Sequence, residues 1–165
     1  KNIPLFLRVN NGNYTYSTIL CYEFTDIMSR ASMKSKIELL FVPQLNKDTN
    51  YFSAIVEATA RDLHCFVIQA NTSAYGDSRI TAPYKTEAKN ILQIKGGETD
   101  VVMIAKLDVD ELLAKRNRYN EEIEKVANSC YRCKYTLTKI ASGIACGKCK
   151  NKLSKGKIKG TPPKF

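Results

Sequence analysis

The stretch FSAIVEATARDLHCFVIQAN, residues 52–71, decides the fold class of this 165-residue chain. Six of its residues recur at the three- and four-residue spacing of a helix face, and the apolar run CFVIQA follows them. These six are Phe52, Ile55, Val56, Thr59, Ala60 and Leu63. Asp48 or Thr49 stands where the helix needs an N-cap. A helix that leads directly into a buried strand is typical of an α/β protein.

Toward the amino terminus the pattern continues with alternating strands and a helix. The run IELLFVP, residues 37–43, predicts a strand buried on both faces and stopped by proline. Residues 25–35 predict a short helix capped by Thr25 or Asp26. Its inward-facing residues are expected to be Ile27, Met28 and Ala31. Before it, IPLFLRV and YTYSTILC, joined through NNGN, predict a β-hairpin with a tight Asn-Gly turn.

Toward the carboxyl terminus a polar loop comes first, TSAYGDSRITAP, residues 72–83. Its Asp77 and Arg79 are candidates for binding groups or for an ion pair that orders the loop, and Asn71 just before it is a candidate substrate contact. The runs NILQI and DVVMIAKLD predict short strands, and a long charged helix is expected from Asp108 to about Ala127.

Cys21 lies where the pattern changes from strand to helix, within STILCYEFTDIMSR, residues 17–30. A turn of this kind exposes a thiol and places backbone N–H groups beside it, which favours the reactive thiolate and offers an oxyanion hole at Tyr22 and Glu23. The alternative is a small buried side chain that ends a core strand, since free cysteine is often simply buried.

The partner of such a nucleophile is not evident in this chain. Its only histidine, His64, directly precedes an apparently buried strand, so a Cys-His pair is poorly supported. A carboxylate base is favoured, and residues 1–20 contain none. The candidates are Glu23, which Arg30 could support, a later residue, or a residue upstream of Lys1.

Charge and cysteine usage set the carboxyl-terminal part of the chain apart. The formal net charge is +10, and residues 131–165 hold ten Lys or Arg and no Asp or Glu. This asymmetry favours contact with RNA or DNA, or else a solvated basic terminus that aids solubility. No apolar run approaches the ~18 residues of a membrane span. The six cysteines lack the even spread of a disulfide framework, which favours a reducing, cytoplasmic setting.

Four cysteines form two C-x2-C pairs separated by twelve residues, CYRC and CGKC. Cys130, Cys133, Cys146 and Cys149 therefore offer four thiolates, the ligand set of a structural zinc site. Two disulfides or unligated thiols are the alternatives. We accordingly predict two parts, residues 1–129 and a zinc-binding basic tail at residues 130–165, where Tyr131 and Tyr135 could stack on bases.

Five motifs together resemble the carbon-nitrogen hydrolases of the nitrilase superfamily over residues 5 to about 120. They are ILCYE, IELLFVP, FSAIVEATARDLHCFVIQAN, YGDSRITAP and VVMIAKLDVDELLAKR, in that order. The resemblance implies a four-layer αββα sandwich with a Glu, Lys and Cys catalytic set, in which Cys21 matches the nucleophile. The Glu and Lys of that set lie well before the cysteine, so the chain resembles the carboxyl-terminal half of such a domain.

The resemblance also implies partners. The expected ones are an upstream half of the same polypeptide and further copies of the domain, since such sandwiches often oligomerise. The sequence from CYEFTD to GTPPKF is most similar to the nitrilase-like domain that follows a reverse transcriptase in bacterial antiphage defence proteins. The alternative to a hydrolase is a non-catalytic scaffold whose zinc-stapled basic tail binds nucleic acid.

Overall fold

A computed structural model describes residues 5–8, 14–97, 101–127, 137–140, 143–146 and 152–153. The chain divides into two compact units, Lys1–Ala114 and Lys115–Phe165. This division falls within a helix and precedes the boundary at residue 130 that the cysteine pattern suggests.

The first unit contains a six-stranded mixed sheet whose strand order follows the chain, β1-β2-β3-β4-β5-β6. The strands are β1 (Leu7–Arg8), β2 (Thr15–Thr18), β3 (Leu39–Pro43), β4 (Phe66–Ala70), β5 (Ser78–Thr81) and β6 (Asn90–Ile94). Strands β2, β3 and β4 run parallel, and the remaining neighbours pair antiparallel. The predicted hairpin is confirmed as the β1–β2 pair, while its NNGN turn lies outside the described residues.

Helix α2 (Thr49–Leu63) covers one face of this sheet, which we call the covered face. Its buried residues are the predicted Phe52, Ile55, Val56, Thr59, Ala60 and Leu63. All of them except Thr59 pack with Leu40, Val42 and Val67 of the sheet in one apolar cluster. Asp48 is the N-cap, since its side chain accepts a hydrogen bond from Tyr51 N at 3.2 Å. The helix ends at His64, whose left-handed φ of 53° turns the chain back into β4.

The opposite face, which we call the open face, is covered only in part. Phe66 and Ala82 pack there against Leu112 of helix α3 (Val109–Ala127). Five apolar side chains from five adjacent strands stay partly exposed on it, namely Tyr16, Phe41, Ile68, Ile80 and Leu92. The prediction that residues 37–43 are buried on both faces is therefore correct for the covered face only.

The helix predicted at residues 25–35 is shorter than expected. A 3₁₀ turn spans Cys21–Thr25 and helix α1 only Ile27–Ala31, with Asp26 as the N-cap. Ile27, Met28 and Ala31 are exposed, so the prediction that they face inward is wrong. Phe24 and Met33 are buried instead, because the switch from 3₁₀ to α geometry moves the inward face away from the spacing of a single helix.

The predictions about residues 90–127 have different outcomes. Strand β6 and helix α3 form as expected, and Asp108 caps α3 by accepting a hydrogen bond from Glu111 N at 2.8 Å. Residues 101–107, predicted as a strand, form neither helix nor strand. They belong to no ladder of the sheet, so an apolar strand-like sequence is left without the neighbour that a strand requires.

The second unit contains a separate antiparallel sheet of three strands. They are β7 (Leu137–Ile140), β8 (Gly143–Cys146) and β9 (Lys152–Leu153), in the order β7-β8-β9. Within the described part of the chain, no helix has the length and apolar character needed to cross a membrane.

Candidate active site at the carboxyl edge of the sheet

The carboxyl ends of the three parallel strands gather several polar residues at one edge of the sheet. Cys21 follows β2, Gln44 follows β3 and Asn71 follows β4. Ligands of open α/β sheets bind at this edge, because loops there emerge side by side from neighbouring strands. The candidate site therefore lies where the fold class places functional groups.

Backbone pairing with β3 holds the chain just before the turn that carries Cys21. Ile19 N donates to Phe41 O at 3.0 Å, which extends the β2–β3 pairing beyond the last residue of β2. Leu20 is still extended, with φ −90° and ψ 135°, and the 3₁₀ turn begins at the next residue. Phe24, fully buried, fixes the turn in the core, while Cys21 itself is partly exposed. Cys21 is therefore not a fully buried residue at the end of a strand.

Glu23 and Thr25 hold the turn in shape. Leu20 N donates to Glu23 Oε2 at 3.3 Å, and Thr25 Oγ1 donates to Tyr22 O at 2.8 Å. Arg30 contacts Phe24. Its Nη1 donates to Phe24 O, and its guanidinium lies 5.7 Å from the centre of the Phe24 ring. Arg30 thus closes the carboxyl end of the turn, and its support of the Glu23 carboxylate stays a prediction.

The surface around Cys21 is apolar and open. Leu20 is 55% exposed and Tyr22 is 84% exposed, on either side of the thiol. Tyr22 and Glu23 lie in the turn directly after Cys21, so an oxyanion hole formed by their amides stays a prediction. Glu23 uses its carboxylate to cap the turn, and this favours a backbone contribution from that residue.

The structure gives Cys21 Sγ no hydrogen-bond partner among the described residues. His64 lies at the opposite edge of the sheet, before the amino end of β4, about one five-residue strand length or ~17 Å away along the strand direction. A Cys-His pair is thus excluded within this unit, in agreement with the sequence analysis. Lys1 lies outside the described residues.

Asn71 ties two loops together at the candidate site. Its Oδ1 accepts from Asn46 N at 3.0 Å, and its Nδ2 donates to Asn46 O and to Gly76 O, each at 2.8 Å. It also lines a cavity of about 330 Å³ with Ser73, Ser78 and Ile94. Because the side-chain amide is engaged with the backbone, Asn71 shapes the edge of the sheet, and a direct substrate contact stays a prediction.

Asp77 and Arg79 form the predicted ion pair. Arg79 Nη2 contacts Asp77 Oδ2, and Arg79 Nη1 lies 3.7 Å from Glu57 Oε1 on α2. Gln93 Nε2 donates to Asp77 Oδ1 at 2.6 Å, and Lys89 Nζ lies 2.7 Å from Glu57 Oε1. With Arg79 only 4% exposed, this network joins β5 and β6 to α2.

Two glutamines that the sequence analysis did not single out lie near the same edge. Gln69 Nε2 donates to Gln44 Oε1 at 3.3 Å, while the buried Gln44 Nε2 and Gln69 Oε1 have no hydrogen-bond partner in the described part of the chain. Buried polar atoms without partners are uncommon in native proteins. The sequence held one signal for this contact: Gln44 directly follows a buried strand that ends in proline.

The predicted zinc ligands lie almost wholly outside the described residues. Cys130, Cys133 and Cys149 are not described, and Cys146 is described only as the last backbone position of β8. Within the described residues, no group of three or more His, Cys, Asp or Glu side chains could hold a metal ion. The zinc site therefore stays a prediction.

The fold is similar to that of solved carbon-nitrogen hydrolases. A CN-hydrolase superfamily protein from Xanthomonas campestris, solved with an arsenic adduct in its active site, matches with a TM-score of 0.60 and 14% identity, over 74% of this chain and 50% of its own. An amidase of the nitrilase superfamily from Nesterenkonia matches with a TM-score of 0.53 and 18% identity, over 74% of this chain and 48% of its own.

The matched region is therefore about half of each of these solved chains. At such identities the likeness establishes the fold alone. No protein-family model and no curated protein sequence matches the chain.

Proposed function

We propose that this chain supplies the nucleophilic half of a thiol-dependent hydrolase acting on an amide-type C–N bond. The Cys21 thiolate attacks the carbonyl carbon and forms a C–S bond. Collapse of the tetrahedral oxyanion breaks the C–N bond, and the amine leaves with a proton from the general acid. Water then attacks the thioester, which releases the carboxylic acid and regenerates the thiol.

The observation that carries this proposal is the position of Cys21. It is the first residue of a turn at the carboxyl edge of a parallel sheet, partly exposed and anchored through Phe24. A Nesterenkonia amidase of matching fold, with a TM-score of 0.51, carries a covalent acetamide adduct at its active-site cysteine. A nucleophilic cysteine is therefore precedented in a protein of matching fold.

The proposed oxyanion stabilisers are the backbone amides of Tyr22 and Glu23, with Asn71 holding the neighbouring loop. We assign the general base and the lysine to residues outside this chain, in an upstream half of the same polypeptide. The cap between Glu23 and Leu20 supports this assignment, because a carboxylate that fixes the turn is poorly placed to accept the Cys21 proton.

Activity and thiol reactivity test the proposal together. The longest natural polypeptide containing this chain should release ammonia from short aliphatic amides, and Cys21→Ala should reduce that release to background. Iodoacetamide should alkylate Cys21 faster than the fully buried Cys65, measured by mass spectrometry of the two peptides. A Cys21→Ala protein with unchanged amide hydrolysis contradicts the proposal, as does a Cys21 that reacts no faster than Cys65.

We place this half-domain in a reverse transcriptase fusion of bacterial antiphage defence, in the cytoplasm. The support is the resemblance of the residues from CYEFTD to GTPPKF to that group of proteins. Upstream coding sequence with the paired carboxylates of a polymerase is expected. A gene without them rules the fusion out while leaving the chemistry at Cys21 untouched.

A second candidate function is a scaffold that oligomerises and presents a basic tail to RNA or DNA. The ten basic and zero acidic residues at positions 131–165 favour it specifically. Cys130, Cys133, Cys146 and Cys149 would then hold one structural zinc per chain. Metal analysis of protein purified under reducing conditions should give one equivalent of zinc, and affinity for nucleic acid should fall steeply with salt. Zinc-free protein would contradict the metal site.

A further inference from the structure

The covered face carries a row of polar residues at the carboxyl edge of the sheet, which we call the polar row. Gln69 of β4 lies opposite Arg79 of β5, and Arg79 lies opposite Gln93 of β6. Gln44 joins the row after β3, since its Oε1 accepts from Gln69 Nε2 at 3.3 Å. Residues directly opposite one another on adjacent strands share a face of the sheet. The contact between Arg79 and Glu57 of α2 shows that this face is the covered one.

The polar row contains three buried polar atoms that have no hydrogen-bond partner in the described part of the chain. They are Gln44 Nε2, Gln69 Oε1 and Arg79 Nε. Gln69 is 2% exposed and Arg79 is 4% exposed. Buried polar groups are almost always hydrogen-bonded, because burial removes the bonds that they make to water. Three such atoms in neighbouring side chains therefore indicate a place where a polar ligand gains hydrogen bonds.

A cavity of about 290 Å³ adjoins the polar row, and we call it the polar cavity. Every side chain that lines it is polar or charged, and these side chains come from the first turns of α2 and from the β5–β6 region. Arg79 is among them, together with Asp77 and Glu57, the two carboxylates that Arg79 contacts. The Arg79 guanidinium therefore lies in the cavity wall. Small-molecule sites begin at about 300 Å³, so the size suits a small ligand.

The charges around the polar cavity leave a positive surplus. Glu57 Oε1 lies 3.7 Å from Arg79 Nη1 and 2.7 Å from Lys89 Nζ. Both oxygens of Asp77 are engaged, Oδ2 by Arg79 and Oδ1 by a side-chain amide of the polar row. Lys95 also lines the cavity, and it makes no ion pair with another described residue. Three cations thus accompany two carboxylates that are already engaged, which favours an anionic ligand.

The amino end of α2 adds donors that suit the same charge. Thr49 and Asn50, the first two residues of this 15-residue helix, line the polar cavity. A helix amino end attracts anions, phosphate above all, because its first N–H groups lack helical partners. Asp48 offsets part of this field, but its carboxylate caps Tyr51 N and does not line the cavity. The helix end and the lysine together therefore suit a phosphate group.

We infer that the polar cavity binds a phosphate monoester of a small polyol. Its phosphate contacts Lys95, Arg79 Nε and the amino end of α2. Its hydroxyl groups contact Ser53 and Asn90. A carboxylate is best matched by two parallel N–H groups of one arginine, and the Nη atoms of Arg79 already contact carboxylates. A phosphate, which lysine binds as a point charge, is thus favoured over a carboxylate.

The polar cavity is distinct from the surface around Cys21. Arg79 lies on β5, three strand spacings from β2, which is roughly 14 Å across the sheet. The inference therefore holds whether or not Cys21 is a nucleophile, and its test measures binding alone.

Isothermal titration calorimetry of the longest natural polypeptide that contains this chain, with ribose 5-phosphate as the probe, tests the inference. Amide hydrogen exchange locates the site, and the probe should slow exchange at residues 49–53 and 93–95. Inorganic phosphate should bind more weakly than ribose 5-phosphate, and ribose alone should not bind. Absence of binding overturns the inference. Inorganic phosphate that binds as tightly as ribose 5-phosphate overturns the assignment to a monoester.

Two substitutions, each with a matched control, assign the binding to the polar cavity. Ser53→Leu fills the cavity and should abolish binding, whereas Ala54→Leu, at the next and exposed position of α2, should not change the Kd. Lys95→Gln should raise the Kd about tenfold because one charge-assisted contact is lost. Lys85→Gln makes the same charge change at an exposed position after the other end of β5 and should leave the Kd unchanged.

Thermal unfolding without ligand checks that the four variants are folded. Wild-type affinity in a folded Ser53→Leu protein overturns the inference. Wild-type affinity in Lys95→Gln, whose exposed side chain is not needed for folding, overturns it as well.

Discussion

Residues 39–43 and residues 101–107 are short apolar runs of similar character, LLFVP and VVMIAKL, with different structures. The first is the central strand β3, paired on both sides, with Leu40 and Val42 fully buried. The second is unpaired, and its Val102 and Ile104 are exposed. An apolar run therefore shows that a segment favours burial. Whether the segment is in fact buried depends on the strands and helices that pack beside it.

Leu40→Ala should have the largest effect on this contrast. Truncation of a fully buried leucine in a central strand should lower the free energy of unfolding by about 2–5 kcal/mol, through lost transfer energy and a residual cavity. Val102→Ala in the unpaired run should change it by less than about 0.5 kcal/mol. Urea denaturation of both variants measures the two values. Similar losses would mean that residues 101–107 are packed in the isolated chain.

The two cations on Glu57 extend the comparison from apolar to charged groups. Arg79→Met should cost about 3 kcal/mol, the low end for breaking a buried pair, because Glu57 keeps Lys89 while Asp77 loses its cation. Lys89→Met, whose side chain is partly exposed, should cost about 0.5 kcal/mol or less. The same denaturation series distinguishes them. Equal costs would show that burial does not set the strength of this network.

The two cysteines of the first unit give a smaller difference. Cys65→Ala should cost about 1 kcal/mol because it leaves a small cavity in a fully buried position. Cys21→Ala should stay within about 0.5 kcal/mol, since a partly exposed thiol contributes little packing. Thermal unfolding of the two proteins checks this pair. A destabilised Cys21→Ala variant would identify that thiol as a structural element of the turn.

The smallest effect is expected at Asp26, the N-cap of the exposed helix α1. Hydrogen bonds from Ser29 to its carboxylate hold the pKa of Asp26 below its usual value. Because this pKa is lower in the folded state, the ionised Asp26 carboxylate stabilises the fold fully above the unfolded pKa, about 3.9. This stabilisation is lost as pH falls through the lower folded value. Asp26→Asn keeps a good cap and removes this titration.

Denaturation midpoints at pH 5 and pH 3 measure the Asp26 contribution. The wild type should lose slightly more stability than Asp26→Asn over this interval. Identical losses would show that ionisation of the Asp26 carboxyl group does not contribute to the stability of the protein.

Helical periodicity predicted the parts of the fold where one pattern repeats without interruption. All six buried residues of α2 were predicted because its apolar spacing is regular from Phe52 to Leu63. The prediction failed at Ile27 and Met28, where a 3₁₀ turn precedes the helix and changes the period. It also failed at residues 101–107, since pairing depends on other segments that a local pattern cannot specify.

Sequence predicted the position of Cys21 in the candidate site but not its surroundings. The change from a strand pattern to a turn located the thiol correctly, because that change is local. The Asn71 amide and the Gln44–Gln69 contact join loops and strands 25 residues apart in the chain, so no local pattern contains them. Arg30 similarly contacts a backbone carbonyl, a partner that side-chain chemistry alone does not indicate.

The strand order of the first sheet, β1 to β6 in sequence, bears on how the protein is made. Each strand pairs with the one synthesised immediately before it, so the sheet can grow by adding one strand at a time as the chain leaves the ribosome. At about 5–20 residues per second, the ribosome makes the stretch from β1 to β6 in roughly 4–18 seconds. During that time the newest strand is always the sheet edge, and its correct neighbour is the next segment to emerge.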